Sequence, residues 1–119
     1  MQIQVNTDDH IQGGESLAQW VQDEARTRLA RLSEGITRLE VFLTDLDGGK
    51  SGVNDKRCRL EARVAGRQPV SVTADADKMA TAFIDSVDKL IRLLDAELGR
   101  VKDRHGRDTI RTVQAPEQE

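Results

Sequence analysis

Apolar residues recur at steps of three and four from Asp77 to Val101: Met79, Phe83, Val87, Leu90, Leu94, Leu98 and Val101. That spacing gathers them on one face of a helix. Ile84, Ile91 and Leu93 widen the apolar face beyond a coiled-coil seam, so the helix needs a broad partner, and a sheet supplies one. The opposite stripe carries Asp85, Asp88, Lys89, Arg92 and Asp95, with Asp85–Lys89 and Asp88–Arg92 set as acid-before-base pairs one turn apart. Asp75 or Asp77 can cap its start.

The rest of the chain alternates. Ile3 and Val5 against Gln2, Gln4 and Asn6 predict a strand with one wet face. A polar loop ending in Gly13-Gly14 follows. Ser16 with Gln19 offers a capping box, and Leu17, Trp20, Val21, Ala25, Leu29 and Leu32 then mark one helix face, with Gly35 placed to stop it. Leu39, Val41 and Leu43 alternate with Glu40, Phe42 and Thr44 in a second strand. After the turn-rich run Asp45–Asp55, Cys58, Leu60, Ala62 and Val64 alternate with Arg57, Arg59, Glu61 and Arg63 in a third. Gly66-Arg67 predicts a hairpin turn, and Val70 and Val72 a fourth strand that Pro69 marks as an edge or a strand start.

The predicted order is β-α-β-β-β-α: one α+β domain over residues 1–101, a four-stranded sheet with two helices packed on one face. Beyond Val101 the periodicity is lost, and residues 102–119 read as a flexible tail.

Composition narrows the function classes. Net charge is −3 and charged residues make up 33% of the chain, so any nucleic-acid binding must come from locally segregated basic groups. No apolar run is long enough to span a bilayer, and the N-terminus enters a strand without a signal-peptide pattern. One cysteine, Cys58, cannot build an internal disulfide framework. A cytoplasmic protein without membrane attachment is the expectation.

Catalytic chemistry finds no footing. Gly49-Lys50-Ser51 has the ending of a phosphate-binding loop, but that motif needs a glycine where Thr44 stands and a helix where a strand follows. His10, Cys58 and His105 lie far apart in sequence, and Cys58 has the inward parity of its strand, so neither a metal site nor a nucleophile–base pair is expected. No spacing isolates two carboxylates as general acid–base work requires. No cofactor, metal, catalytic residue or small-molecule substrate is assigned. Trp20 fits the core.

The basic residues remain. Arg26, Arg28 and Arg31 come late on the first helix, Lys89 and Arg92 lie on the second, and Arg100, Lys102, Arg104 and Arg107 follow. Side-by-side helices would align these outward groups in one strip; the alternative is a solvated face of ordinary ion pairs with Asp85, Asp88 and Asp95. A second candidate surface is the outer face of the sheet, where Arg57, Arg59 and Arg63 flank Phe42, a ring able to stack a base.

The element order, Leu29-Ala30-Arg31-Leu32 closing the first helix, and Met79, Ala82, Asp88-Lys89-Leu90, Arg92 and Leu94 in the second together resemble a known family. It is that of the short ribosome hibernation-promoting factors and ribosome-associated inhibitors, also labelled sigma-54 modulation proteins. Its second helix reads approximately M-x-x-A-I-D-x-x-x-D-K-L-x-R-Q-L. Here Ile84 and Leu93 depart from that pattern, and Asp95-Ala96-Glu97 replaces alternating lysines.

The resemblance implies a non-catalytic protein that occupies the mRNA and tRNA channel of the small ribosomal subunit, inhibiting translation or protecting idle ribosomes under stress. Its partner would be the 30S or 70S ribosome through 16S rRNA. The RNA-binding residues it implies are Arg28, Arg31, Lys89 and Arg92; Arg100, Lys102 and Arg104, where basic residues return beyond the departure from the family pattern, are added as candidates from this chain's own sequence. Two other readings stay open. One is a double-stranded-RNA module, for which only Lys78 supplies the expected cluster; the other is a divergent member acting through protein contacts, as a homodimer paired along a sheet edge.

Overall fold

In the computed structural model, the chain is described over residues 1–8, 14–46 and 55–110, with residues 98–110 described by their helical backbone alone. Strand β1 (Gln2–Thr7) leads to helix α1 (Gly14–Arg28), a short 3-10 turn (Ala30–Leu32), strands β2 (Ile36–Asp45), β3 (Lys56–Val64) and β4 (Val70–Ala76), and helix α2 (Met79–Ile110). The sheet runs β1-β2-β3-β4. β1 pairs with β2 in parallel, as the intervening helix permits, while β2–β3 and β3–β4 are antiparallel. The expected α+β domain of order β-α-β-β-β-α is present.

Period-two alternation decides which face is covered. Leu39, Val41, Leu43, Cys58, Leu60, Ala62, Ala74 and Ala76 are all buried on one side. From the helices, Val21, Ala25, Leu29, Ala82, Phe83, Val87, Leu90 and Leu94 meet them. Helix α2 packs over β3 and β4, and α1 over β1. Phe83 is fully buried, which stabilises the domain by about 1.5–3 kcal/mol relative to an exposed ring. Trp20 meets its edge at 5.6 Å between ring centroids and 68° between planes, a favoured aromatic geometry. Trp20 is thus a core residue.

Several local expectations are corrected. Helix α1 begins at Gly14, whose φ is +43°, so Ser16 sits inside the first turn and cannot cap it. The Gln19 amide instead donates to Asp23 Oδ1 at 3.0 Å. The helix ends at Arg28 and tightens into the 3-10 turn, so Gly35 lies beyond its end and closes onto the Leu32 carbonyl at 3.0 Å. Gly66, φ +73°, makes the β3–β4 turn as expected. Helix α2 continues past Val101 to Ile110. An established ladder propagates cheaply through residues such as Lys102 and Arg104 without an apolar face, and the first proline after it is Pro116. The loop 47–54, His10 and residues 111–119 lie outside the described residues.

One end of the sheet is tied by charge. Lys56 Nζ lies 2.9 Å from Asp55 Oδ2 and 3.5 Å from Asp45 Oδ2, two carboxylates that are almost wholly buried. The hydrogen bond to Asp55 raises the Lys56 pKa, against a smaller opposing effect of burial and with help from Asp45. Asp8 Oδ2 accepts the Asp45 amide at 3.0 Å, joining the ends of β1, β2 and β3. These groups hold the sheet together.

Candidate nucleic-acid interface

The outward side of the helix layer carries Arg31, Lys89 and Arg92 among the predicted basic residues. On α2, Ala82, Phe83, Val87, Leu90 and Leu94 face the sheet, which turns Arg92 to the solvent crest. Lys89 and Asp95 follow about 60° to either side of Arg92 by helical geometry. The two flanks then meet different neighbours. Lys89 Nζ reaches over the sheet edge and donates to the Thr73 carbonyl of β4 at 2.8 Å. Asp95 faces the end of α1, where Arg31 grips it with Nη1–Oδ1 at 3.0 Å and Nη2–Oδ2 at 2.8 Å.

Arg31, Arg92 and Lys89 are thereby brought onto one outward surface that crosses from the 3-10 turn to the β4 edge. Arg28 is at the last residue of α1, and its Nε sits 2.9 Å from Glu24 Oε1, one turn back. Arg26 donates to the Met1 carbonyl at 3.3 Å. Both also complement the negative end of their helix. Among the described residues Arg92 has no ion pair. The expected Asp85–Lys89 and Asp88–Arg92 pairs are not formed, because Lys89 is drawn away to Thr73 and Arg92 projects into solvent. Arg100, Lys102 and Arg104 lie on the extension of α2, and their side chains are outside the described residues.

The ion pairs set the local electrostatics. The hydrogen bonds from Arg31 hold the Asp95 carboxyl below the usual carboxylate range, and the same bonds raise Arg31. On the other side of the sheet, Arg57 does the same to Asp75, with Lys89 adding a smaller attraction. Asp95 therefore stays ionised and remains a fixed competitor for the charge of Arg31.

Sequence reading missed one group here. Arg67, at the β3–β4 hairpin, places Nη1 2.8 Å from Glu97 Oε1 on α2. With Arg31 it rims an open groove of about 950 Å³ whose floor includes Leu32, Ile36, Val64, Val70 and Leu94. Arg67 and Glu97 are 30 positions apart, so no local pattern signals the pair.

The other chemistry stays structural. Cys58 is fully buried, and burial pushes its pKa up to about 11 against a smaller lowering by Ser86, whose Oγ is 3.1 Å from the sulfur. It is an unreactive core thiol. Among the described residues no group of three histidine, cysteine or acidic side chains is placed to hold a metal ion. No described helix is long and apolar enough to cross a membrane.

A mixed sheet covered on one face by two helices, which turn arginine and lysine outward, defines an α+β domain of the βαβββα type. The particular family follows from the sequence within that fold. The chain belongs to the sigma 54 modulation protein / S30EA ribosomal protein family, whose model matches residues 3–104. The crystal structure of the Thermus thermophilus Protein Y N-terminal domain is similar, with 22% identity, a TM-score of 0.59, and coverage of 76% of this chain and 91% of that one. A ribosomal subunit interface protein from Coxiella burnetii is similar too, at 15% identity and a TM-score of 0.56, over 87% of this chain and 99% of that one. At these identities the two structures show a shared fold. No curated protein matches the chain.

Proposed function

We propose that this protein binds the small ribosomal subunit in the mRNA and tRNA channel and acts there by occupancy rather than catalysis. It contacts 16S rRNA through Arg31, Lys89 and Arg92 on the outward surface of the helix layer, with Arg28 at the end of α1 and Arg100, Lys102 and Arg104 on the extension of α2, and so inhibits translation or protects idle ribosomes in the cytoplasm. The observation that carries this reading is the family match over residues 3–104. The strip supports it physically: lysine and arginine bind RNA phosphates with release of counterions, and folded RNA is read by shape. Arg92, at the crest and without an ion pair among the described residues, is the group best placed to begin.

Co-sedimentation of the purified protein with 30S subunits across a salt series tests the reading. Binding should weaken steeply with salt, and K89E/R92E should abolish it while the circular dichroism spectrum stays that of the wild type. Undiminished pelleting of that variant rejects the site, and a wild type that stays in the supernatant in dilute buffer rejects the function.

A homodimer along a sheet edge is the competing reading, and β1 favours it. This edge strand, Gln2–Thr7, carries no charged residue, whereas the β4 edge follows Pro69 and has Lys89 on its Thr73 carbonyl. Unprotected edges invite pairing. Sedimentation equilibrium decides: a monomer at micromolar concentration removes this reading.

A further inference from the structure

The open face of the sheet, opposite the helices, holds an arrangement that the helical strip does not use. Arg59 on β3 stands directly across from Phe42 on β2, with its Cζ 5.1 Å from the ring centroid. Two more contacts fix the guanidinium. Its Nε donates to Ser71 Oγ at 3.3 Å and its Nη2 to Glu61 Oε2 at 3.2 Å. A side chain with four rotatable bonds is thus held over an aromatic ring, although its partner Glu61 and the ring are only half-buried and Arg59 itself is exposed.

The side chain of Arg59 nevertheless stays 44% exposed, so part of the guanidinium is open to a ligand. A guanidinium laid on a ring stacks, and the same delocalised plane stacks on a nucleobase. Its neighbours on β3 share its parity. Arg57 is pinned by Asp75 through bonds of 2.8 and 3.0 Å, and Arg63 is exposed without an ion pair among the described residues. Along a strand, residues 57 to 63 cover about 20 Å, so the three arginines line a track rather than a point. Including Arg38, four arginines face Glu40, Glu61 and Asp75 on this side. Glu61 and Asp75 serve to orient arginines, which leaves Arg63 as the group open to a phosphate.

We propose that this open sheet face is a second RNA-contacting surface, on which an unpaired base of a single strand stacks on the exposed side of the Arg59 guanidinium while Arg63 takes a flanking phosphate. The proposal rests on the ribosomal reading for its biological setting, and adds to it a contact on the face opposite the helices. A domain with RNA on both faces would be wedged in a channel rather than laid on a surface. Single-stranded RNA is the partner because stacking needs a base whose face is exposed.

Two variants separate stacking from charge. Arg59→Lys keeps the positive charge and loses the plane; Arg63→Gln removes only a charge. The probe is a fluorescently labelled single-stranded pyrimidine RNA, followed by anisotropy in dilute buffer, with a duplex of equal length as the control. The wild type should prefer the single strand. R59K should weaken that binding at least fivefold, the lower end for one stacked base, with an unchanged salt slope. R63Q should weaken it and lower the slope by about 0.7, the single-strand value for one phosphate. Equal binding of single strand and duplex, no binding of the single strand, or full binding by R59K each overturns the proposal. Pelleting with 30S subunits distinguishes the two ideas: loss in K89E/R92E with full retention in R59K and R63Q leaves the helical strip standing and removes the sheet face.

Discussion

Arg31 and Asp95 form a two-bond guanidinium–carboxylate clasp, at 3.0 and 2.8 Å, between the 3-10 turn after α1 and the middle of α2. The clasp joins the two helices and also occupies a basic group of the candidate strip. Any phosphate that Arg31 binds must compete with the carboxylate of Asp95, because a guanidinium fork presents the same geometry to both anions. Asp95→Asn should therefore tighten binding to 30S subunits several-fold, measured by pelleting at fixed salt. Weaker binding would show that the clasp aids the interface by positioning Arg31.

Arg92 has no internal competitor among the described residues. Arg92→Ala should leave thermal stability within about 0.5 kcal/mol of the wild type, as for exposed positions generally. The slope of log affinity against log salt should fall by about 0.7–0.9, the value of one phosphate contact. An unaltered slope would exclude Arg92 from the RNA contact.

Acid should loosen the sheet and helix pairs. Asp75 and Asp95 both have pKa values depressed by their arginine partners. Each therefore contributes stability that is present above the ordinary carboxylate range and is lost as pH falls through the depressed folded value. Urea midpoints measured from neutral pH down to about pH 3 should decline less in D75N/D95N than in the wild type. Parallel declines would mean that these exposed pairs contribute nothing measurable.

Cys58 is a buried thiol with a pKa near 11, so about one molecule in a thousand is thiolate at about pH 8. A maleimide should label it only as fast as the protein opens, and labelling should be immediate in denaturant. Rapid labelling of the native protein would contradict the packing of β3 under α2.

Phe83 anchors α2. Phe83→Ala should cost about 3–5 kcal/mol, the range for emptying a buried aromatic site. It should also shift the fluorescence of Trp20, whose ring meets Phe83 edge-on at 5.6 Å. A loss below about 1 kcal/mol would mean that the site collapses and refills.

The chain's periodicities determined the elements and their inward faces by themselves. Alternation at Leu39, Val41 and Leu43 and at Cys58, Leu60 and Ala62, with the three-four spacing through Phe83, Val87, Leu90 and Leu94, sorts each residue to core or solvent. Each pattern is local, and burying apolar area enforces it. Helix ends were less legible: nothing in the apolar spacing marks the start at Gly14 or the continuation to Ile110, since caps and ladders are backbone matters. What a charged side chain meets was decided by the tertiary structure alone. Lys89 and Arg92 were legible as outward residues. That Lys89 would turn to the Thr73 carbonyl, that Arg31 would close on Asp95 and Arg67 on Glu97, and that Arg59 would settle over Phe42 all depend on which strand edge, turn or ring the fold brings within a few ångströms. Charge is long in reach and undirected, so a sequence can list its bearers, while only packing fixes which opposite charge stands nearest.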